Sequence, residues 1–459
     1  MPASEPLKLR APATRNPATF VVAALVVVVG AESAVVLGGS HLVGLPGLLL
    51  VLVASAAWAL LASDERVEQC RGLVVIAIGV AFAVALAVPP RNSHDLWSYV
   101  MYGRTVSVHH ASPYLHAPIA YRHDAFLSHV GSGWQNTKSV YGPLFTGVSS
   151  VLTRIAGSSE LRARLAFQGL ATFGVVAALV LIWRTTRSAG ALVFVGLHPA
   201  VVTAIVNGGH NDALVGLAVM AGVLLAARRR WAGSGLVLGL GLLVKASTGI
   251  GLLGVAVWTF RRSRRGALTL VAAALATSAI GYAPAGFHAL LTVGRAGNGN
   301  TRASPWDPIS SLLHPSTALM VLVVMLFAAA AAWSCRDARR PATATLVPMA
   351  AYLIAGVYVL PWYSAWALPT AALELRSRLA LLVGLHAAFL VAVYEYELPA
   401  HPRLTGAAAV VRSIVLQLGS WSALLVLVAL LLRARAPRPE HADPDTQSGA
   451  AESPHLLTP

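Results

Sequence analysis

Apolar stretches long enough to cross a lipid bilayer recur along almost the whole chain. An α-helix needs about 20 residues to cross the hydrocarbon core, which is about 30 Å thick. The clearest runs lie at 20–37, 72–88, 165–183, 268–280, 318–333, 349–360 and 410–432. Because backbone polar groups cannot stay unpaired in lipid, each run must be helical. We therefore predict an all-α fold, a polytopic transmembrane helical bundle in the inner (plasma) membrane.

The composition supports lipid as the solvent for most of the chain. Of the 459 residues, 56% are hydrophobic and only 11% are charged, whereas about a quarter of the residues in a soluble domain are charged. The first apolar run is long, a second run follows it closely, and no small-residue cleavage site stands out. We therefore expect a membrane helix there and not a signal peptide.

Lysine and arginine residues cluster in alternate loops, and such clusters indicate the orientation of a membrane protein. The clusters lie at 8–15, 66–71, 184–187, 228–230, 261–265, 336–340, 376–378 and 433–438. We place all of these clusters, and both termini, in the cytoplasm. The formal net charge is +16, but solvated cytoplasmic loops account for it, and we predict no nucleic-acid partner.

One stretch between two of these clusters tests the orientation. About 30 mostly apolar residues separate Arg230 from Arg261. A single helix would put the two arginines on opposite sides of the membrane, whereas two short helices folded back at 245–248 keep them on one side. We therefore predict a short-helix hairpin here and about fourteen membrane segments in the whole chain.

The resulting organisation has three parts and several outside loops. Residues 1–17 are a cytoplasmic N-terminal segment, 18–435 a membrane-embedded domain, and 436–459 a disordered cytoplasmic tail. Cys70 and Cys335 fall in reducing cytoplasmic loops, so we expect no disulfide. The main external loop follows the third segment. The outside segments, which hold the carboxylates, histidines and aromatic residues needed for chemistry and sugar binding, are 89–159, 207–212, 284–311 and 361–366.

Asp95 is the first candidate for chemistry on the outer side. It lies a few residues past the end of an apolar run, where a carboxylate can reach both a lipid-borne and an aqueous substrate. The same position also suits the N-cap of the next helix, because aspartate is a favoured capping residue. The spacing along the sequence leaves both interpretations open.

Two further segments indicate anion binding. At 207–212 the helix after a glycine pair would offer free N–H groups to a phosphate, and His210 would add a donor. A well-capped helix–turn–helix, with Asn211 or Asp212 as the cap, is the simpler interpretation. Lys245 lies in an apolar stretch, where an ionisable group is a candidate counter-charge for phosphate, although snorkelling to the interface would also accommodate it.

Other polar residues in and beside the helices have simpler explanations. Arg162 and Arg164 stand at the outer start of a helix and fit a phosphate or an anionic headgroup, although we expect one of them to be only an interface anchor. His198 and His386 are interpreted as buried histidines with satisfied polar groups. No spacing of His, Asp or Glu resembles a metal site, and no phosphate loop of an ATP-driven pump is present.

Several of these motifs occur in an order that resembles a known family. The chain is similar to the actinobacterial polyprenol-phosphomannose-dependent α-1,6-mannosyltransferases of the GT-C superfamily, and the similarity extends over about 95–366. The motifs that carry it are Asp95-x-x-Ser98-Tyr99, Tyr102-Gly103-Arg104, Pro113-Tyr114, Tyr141-Gly142-Pro143, Gly209-His210-Asn211-Asp212 and the Lys245 segment.

The resemblance implies inverting transfer of mannose from a polyprenyl-phosphate donor to a growing mannan or lipoglycan, with an α-1,6 linkage, on the external face. Asp95 matches the catalytic aspartate and would act as the general base. The expected donor-phosphate residues are Arg104, Arg162, Arg164, His210, Asn211 and Lys245. The expected substrate-binding residues are Tyr99, Tyr102, Tyr141, Asp212, Trp362, Tyr363 and Trp366. No metal or other cofactor is expected, and the partners are the two substrates and membrane lipids.

The sequence departs from the family pattern around its acidic residue, and other functions also fit the motifs. The acidic residue follows the third apolar segment and not the first. Its neighbour is His94 and not a second acidic residue, which leaves a single carboxylate to act. An α-1,2-mannosyltransferase or another polyprenyl-phosphate-sugar transferase would fit the same motifs. A secondary transporter or lipid flippase would place ionisable groups near the bilayer midplane, often with internal repeats. A non-catalytic envelope-assembly partner would not need Asp95, and aromatic residues at membrane boundaries also serve as interface anchors.

Overall fold

The computed structural model describes residues 17–42, 44–91, 93–293, 301–397 and 407–435, and every regular element within these ranges is helical. Residues 1–16 and the predicted tail at 436–459 lie outside the described residues. The α-helices are α1 (Pro17–Leu37), α2 (Leu45–Ser63), α3 (Arg71–Ala87), α4 (Asp95–Ser107), α5 (Ser132–Gln135), α6 (Pro143–Ala156), α7 (Glu160–Thr186), α8 (Ala189–Gly196), α9 (Asp212–Ala227), α10 (Trp231–Leu242), α11 (Thr248–Arg262), α12 (Arg264–Tyr282), α13 (Phe287–Val293), α14 (Trp306–Leu313), α15 (Thr317–Ser334), α16 (Pro341–Ala355), α17 (Leu368–Ala372), α18 (Arg378–Glu397) and α19 (Ala407–Arg435).

Seven helices in the described ranges are long and apolar enough to cross a membrane. They are Ala18–Leu37, Leu45–Ser63, Glu65–Ala87, Glu160–Thr186, Arg264–Ala285, Thr317–Ser334 and Ile414–Arg433. Ala189–Gly196 and Ala200–Val206 form an eighth span if the 47° bend between them is counted as one broken helix. The predicted all-helical, multi-pass membrane protein is thereby confirmed.

Shorter apolar helices complete the bundle and bear on the predicted number of segments. Four of them, Asp212–Ala227, Trp231–Leu242, Pro341–Ala355 and Arg378–Tyr394, are below the length of a full span. The seven or eight candidate spans are fewer than the predicted fourteen membrane segments. The count of fourteen stays a prediction, and it requires that the shorter helices also be membrane segments. The predicted run at 349–360 is wrong as a helix of its own, because α16 ends at Ala355 and Gly356 continues with extended backbone.

The loops predicted to be cytoplasmic meet at one end of the bundle. Glu68 accepts a hydrogen bond from the N–H of Ala189 at 2.7 Å, and Arg376 forms an ion pair with Glu65 at 3.0 Å. Another ion pair joins the end of α11 to the loop after α15. The stretch between the basic clusters at 228–230 and 261–265 folds into two short helices, α10 and α11. The two clusters therefore lie at the same end of the bundle, as the charge pattern requires.

The predicted external loop is a folded layer at the other end. Its helix α4 packs closely on α6, since a Cβ at Gly103 would lie 2.4 Å from the carbonyl oxygen of Ser149. The carboxylate of Asp124 is buried between Arg104 at 2.9 Å and His109 at 2.7 Å. These contacts fix the second half of α4 on its neighbours, and Asp95 is the first residue of the same helix.

Candidate active site

The central turn of the site, at 207–211, follows the broken helix that begins with α8. After α8, a π-helix at Ala200–Val206 ends in a turn before α9 begins at Asp212. Gly209 has φ +67°, a conformation that L-residues rarely adopt, and a Cβ at Gly208 would lie 2.1 Å from the carbonyl oxygen of Ala204. The glycine pair is therefore required for this turn, which places three polar residues in succession within the bundle.

Two amide side chains hold this turn against neighbouring helices. Asn207 accepts a hydrogen bond from the N–H of Arg91 at 2.8 Å and donates to the carbonyl oxygen of Ala85 at 3.0 Å. Gln168 of α7 donates to the carbonyl oxygen of Asn207 at 2.6 Å. The sequence analysis assigned no role to either amide, although a glutamine inside the apolar run of α7 is itself a signal, because polar groups in a membrane helix need partners.

Asp95 and Asp212 both lie near the same ring nitrogen of His210. Its Nδ1 is 3.8 Å from a carboxylate oxygen of Asp95 and 4.0 Å from one of Asp212. The Tyr99 hydroxyl lies 3.3 Å from the same nitrogen. Asp95 is the first residue of α4 and His94 occupies the N-cap position, so Asp95 is not a capping residue, and its carboxylate is free to face the turn at 207–211.

A buried ion pair joins Asp212 to Lys245. The Lys245 Nζ donates to Asp212 Oδ1 at 2.7 Å, and the indole N–H of Trp366 donates to the same oxygen at 2.5 Å. The Asp212 side chain is fully buried and that of Lys245 is 15% exposed. Lys245 therefore points inward to a partner and does not snorkel to the interface, and the pair brings the α10–α11 turn against the start of α9.

The Tyr141-Gly142-Pro143 motif docks on the segment that carries Lys245. The N–H of Gly142 donates to the carbonyl oxygen of Val244 at 3.0 Å. A Cβ at Gly142 would lie 2.2 Å from the carbonyl oxygen of Leu243. Only glycine permits this approach, so the motif fixes the position of the lysine from the external loop.

Aromatic rings enclose the charged groups. The ring of Trp362 stacks on His210 with centroids 4.0 Å apart. Tyr363 stacks on Trp366 at 4.4 Å, and the Lys245 Nζ lies 4.5 Å from the centroid of Tyr363. The cation gains a favourable contact with the face of the tyrosine ring.

The Tyr99 ring packs on the external side of the same cluster. It meets Tyr141 edge-on with centroids 5.0 Å apart. Both rings are buried. They connect the first turn of α4 to the motif that carries Gly142, so the external layer and the bundle share one core here.

Burial changes the acidity of Asp95. Loss of water raises the pKa of its carboxyl to about 6, the nearby charge of Asp212 adds to that rise, and Lys245 and the Ser93 hydrogen bond oppose it. A carboxylate with such a pKa is deprotonated at neutral pH yet basic enough to accept a proton, which is the property a general base needs.

Several buried polar atoms beside the two aspartates have no hydrogen-bond partner. Among the described residues they include the Ser98 hydroxyl, both amide atoms of Asn211, His210 Nε2 and Asp212 Oδ2. Asn211 occupies the N-cap position of α9 without a side-chain capping bond, so the helix–turn–helix interpretation does not explain this residue. Orphaned buried groups are rare in folded proteins, and a bound hydroxylated ligand is one way to satisfy them.

Four of the predicted site residues make their contacts away from Asp95 and Asp212. Arg104 pairs with Asp124, and the Tyr102 hydroxyl donates to the carbonyl oxygen of Thr137 at 2.9 Å. Arg162 is exposed at the start of α7, whereas Arg164 is buried and donates weakly to a backbone oxygen at the end of α3. No contact joins these four to the aspartates within the part of the chain that the structure describes.

The remaining histidines and cysteines have ordinary environments. His198 is satisfied as predicted, since its Nε2 lies 3.0 Å from the carbonyl oxygen of Gly384 and its Nδ1 accepts from the N–H of Ala200. Cys70 and Cys335 are not joined in a disulfide. No group of three or more His, Cys, Asp or Glu in the described ranges is arranged to hold a metal ion.

Comparison with known families identifies the family to which this chain belongs. A family model described as "Alpha-(1->6)-mannopyranosyltransferase, N-terminal domain" matches residues 10–262, which is more than half of the chain. The chain belongs to the alpha-(1->6)-mannopyranosyltransferase family. A second model, Glycosyltransferase family 87, matches residues 139–391. The two matches together include Asp95, His210, Asp212, Lys245 and Trp366.

Two curated relatives carry the family name and align with part of this chain. Alpha-(1->6)-mannopyranosyltransferase A of Corynebacterium glutamicum is 26% identical over 187 residues, 40% of this chain and 37% of the relative. The protein of the same name from Mycobacterium tuberculosis is 28% identical over 200 residues, 42% of this chain and 38% of the relative. The chain thus spans less than two fifths of the length of these relatives. No solved structure matches it.

We predict that the Asp212–Lys245 pair stabilises this mannopyranosyltransferase-family fold as a unit. Lys245→Met leaves a buried carboxylate without its cation and should lower the free energy of unfolding by about 3–5 kcal/mol. Lys245→Met combined with Asp212→Asn should lose less than the sum of the single changes, as measured by unfolding in detergent micelles.

The exposed Arg261–Asp337 pair provides the matched control. Both side chains are about half exposed, at 48% and 59%, so Arg261→Met should have only a small effect because solvent screens such pairs. Equal losses for Lys245→Met and Arg261→Met would contradict a structural role for the buried pair.

Proposed function

We propose that this protein is a membrane mannosyltransferase. It would transfer mannose from a polyprenyl-phosphate carrier to a mannan or lipoglycan acceptor, with inversion and an α-1,6 linkage, on the external face of the membrane. The observation that carries the proposal is a buried carboxylate, Asp95, whose neighbour His210 also lies beside the Asp212–Lys245 ion pair, with Lys245 at the end of an apolar groove. Membership of the mannopyranosyltransferase family supports the choice of sugar and linkage.

Asp95 is the proposed general base. It accepts the proton of an acceptor hydroxyl while that oxygen forms a bond to the anomeric carbon of the donor mannose. The bond from that carbon to the phosphate oxygen breaks on the opposite face, so the configuration inverts in one displacement. The pKa of about 6 leaves the carboxylate able to take the proton, and the described residues place no lysine or arginine in an ion pair with it, only His210 at 3.8 Å.

Lys245 is the proposed holder of the leaving phosphate. An ammonium group has three N–H donors, and one of them is used by Asp212 at 2.7 Å. The other two would stabilise the charge that develops on the phosphate as the sugar leaves. In this arrangement Asp212 keeps the lysine charged and oriented, and His210 and Asn211 lie next to Asp212 in the sequence to complete the anion site.

An apolar groove next to Lys245 suits the isoprenoid chain of the donor. The groove has a volume of ≈ 500 Å³, and Lys245, Tyr363 and Trp366 lie at its polar end. Its walls come from the start of α11 and from α15, including Ile250 and Val321. If the phosphate of the lipid donor lies at Lys245, its isoprenoid chain would therefore enter the apolar groove directly.

The aromatic rings and the orphaned polar atoms suit the sugars. Tyr99, Trp362, Tyr363 and Trp366 present ring faces or edges around the aspartates, and such rings commonly pack on the apolar faces of sugars. The free Ser98 hydroxyl would hydrogen-bond sugar hydroxyl groups. The predicted roles of Arg104 and Tyr102 in substrate binding would then be indirect, through the position of α4.

The orientation of the basic loops supports an external site. Asp95 lies at the end of the bundle away from the loops that contain Glu65, Glu68 and Arg376, which the charge rule places in the cytoplasm. Counting the four shorter apolar helices with the seven or eight candidate spans gives eleven or twelve segments in the described residues, so the proposed topology of about fourteen needs two or three more. A lipid-linked donor is accessible from that face.

Asp95→Asn should abolish transfer while the protein stays folded in the membrane. Loss of a general base lowers turnover by about 10²–10⁴-fold, measured with labelled polyprenyl-phosphate mannose and short mannoside acceptors. In the unaltered protein, kcat/KM should rise with pH up to about 6 and then level off, because the base acts only when deprotonated.

Glu160→Gln is the matched control for this experiment. Its carboxylate lies at the start of α7 with the side chain 58% exposed, so turnover should be unchanged. Normal turnover of Asp95→Asn would refute the catalytic role, whereas an inactive unaltered protein with a well-folded spectrum would refute the function itself.

Val321→Trp should obstruct the groove for the donor chain. Val321 is 41% exposed and lines the groove, so an indole fits there without entering the core. We expect a several-fold higher KM for a long-chain donor and little change for a donor with a short chain. Leu322→Trp, at a lipid-facing position that is 54% exposed, should leave the KM for both donors unchanged. Equal KM values for the long-chain donor in the unaltered protein and the two variants would contradict binding of the donor chain in this groove.

Thiol labelling should show on which face the site opens. In a variant with Cys70 and Cys335 replaced by serine, a membrane-impermeant reagent added to intact cells should label Arg122→Cys in the external layer. It should not label Arg229→Cys between α9 and α10. The reverse pattern would place the aspartates toward the cytosol and exclude an external reaction.

A further inference from the structure

A second apolar groove lies between α3 and α7 on the lipid-facing surface. It has a volume of ≈ 570 Å³ and an almost wholly apolar lining. Buried Ile78, Phe82 and Leu179 form its floor, and Val75, which is 58% exposed, forms part of one wall. The groove is thus a shaped depression in the surface and not a flat patch of helix.

Two arginines stand at one end of this groove. Arg71 is the first residue of α3, and Arg184 lies in the last turn of α7. Both line the groove and both are exposed. Neither guanidinium has a hydrogen bond or an ion pair to any described residue. The adjacent acid, Glu68, is occupied by the first N–H groups of α8.

The length of the groove matches one leaflet of a bilayer. Eleven residues separate Arg71 from Phe82, which corresponds to about 16 Å along a helix. Half of the hydrocarbon core is about 15 Å thick. A lipid whose headgroup meets the arginines would therefore lay one acyl chain along the groove as far as the middle of the membrane.

Glycines leave this groove open. A Cβ at Gly72 or at Gly79 would meet no heavy atom within 4 Å, and both residues line the groove. A larger side chain at Gly79 would therefore fill the groove without displacing protein atoms. This property allows the groove to be closed selectively in an experiment.

We propose that this groove binds one anionic glycerophospholipid from the leaflet that faces the basic loops. Its phosphodiester lies between the guanidinium groups of Arg71 and Arg184, which hydrogen-bond phosphate oxygens with good geometry, and one acyl chain covers Ile78 and Phe82. A basic site between membrane helices on the cytoplasmic side is suited to such headgroups. A zwitterionic lipid would bring an ammonium group toward two cations and bind less well.

The site is separate from the proposed reaction. Gln168, which supports the turn near Asp95, and Arg184 are sixteen residues apart on α7, which corresponds to about 24 Å. The lipid would instead fix the packing of α3 on α7, the two helices whose other ends carry the hydrogen bonds of Asn207.

Native mass spectrometry of the full chain tests the proposal. The protein is purified from nanodiscs that contain equal amounts of phosphatidylglycerol and phosphatidylcholine. We expect one retained phosphatidylglycerol in the unaltered protein, a loss of at least fivefold in Arg71→Gln/Arg184→Gln, and a similar loss in Gly79→Leu. Equal retention of the two lipids would show ordinary annular lipid and overturn the proposal.

Matched variants control for charge and for volume. Arg229→Gln/Arg265→Gln removes two exposed arginines from other basic loops, and Gly169→Leu adds the same side chain to α7 where a Cβ again meets nothing within 4 Å. Both should retain the lipid. A loss in either control equal to that in the groove variants would overturn a specific site.

A photo-cross-linking residue at Val75 identifies the occupant directly. The expected product is a lipid adduct that is lost in Arg71→Gln/Arg184→Gln. A cross-link to a peptide from residues 436–459, whose acidic residues would also suit the arginines, would overturn the proposal in favour of the chain's own C-terminal segment.

Discussion

The buried ion pair between Asp212 and Lys245 is the interaction on which the rest of the site depends. An isolated charge in the interior of a bundle is very unfavourable, and one partner stabilises the other only if both are held in register. The pair satisfies this condition because Gly142 docks on the backbone just before the lysine and Trp366 donates to the same carboxylate oxygen. Four segments that are distant in the sequence are thus held around one point.

The interruption of a membrane helix explains how polar groups reach that point. A continuous helix after α8 would use its backbone N–H groups in its own hydrogen bonds. The bend of 47° and the π-helix that follows instead end in a turn within the protein, where irregular backbone is tolerated because protein groups satisfy it. Asn207 and Gln168 supply those hydrogen bonds. The site therefore exists because this span is broken.

The sequence predicts the bundle better than it predicts the site. The hydrophobic length and the charge bias are properties of single segments. The membrane spans and the short-helix hairpin of α10 and α11 can therefore be predicted from the local sequence. Asp212 and Lys245 are 33 residues apart, and the pairing of Arg104 with Asp124 joins a residue of α4 to a loop residue 20 positions later. Such contacts depend on tertiary packing. For this reason Arg104 was expected at the phosphate, while Asn207 and Gln168 were assigned no role.

The different surroundings of the two aspartates distinguish their proposed roles. Asp212 has a cation and an indole N–H on one oxygen, so it is engaged by two donors. Asp95 is buried, its pKa is raised to about 6 by loss of water, and it has no lysine or arginine bonded to it among the described residues. The sequence alone suggested a single acting carboxylate, and the geometry supports that view because the second one is engaged in holding the lysine.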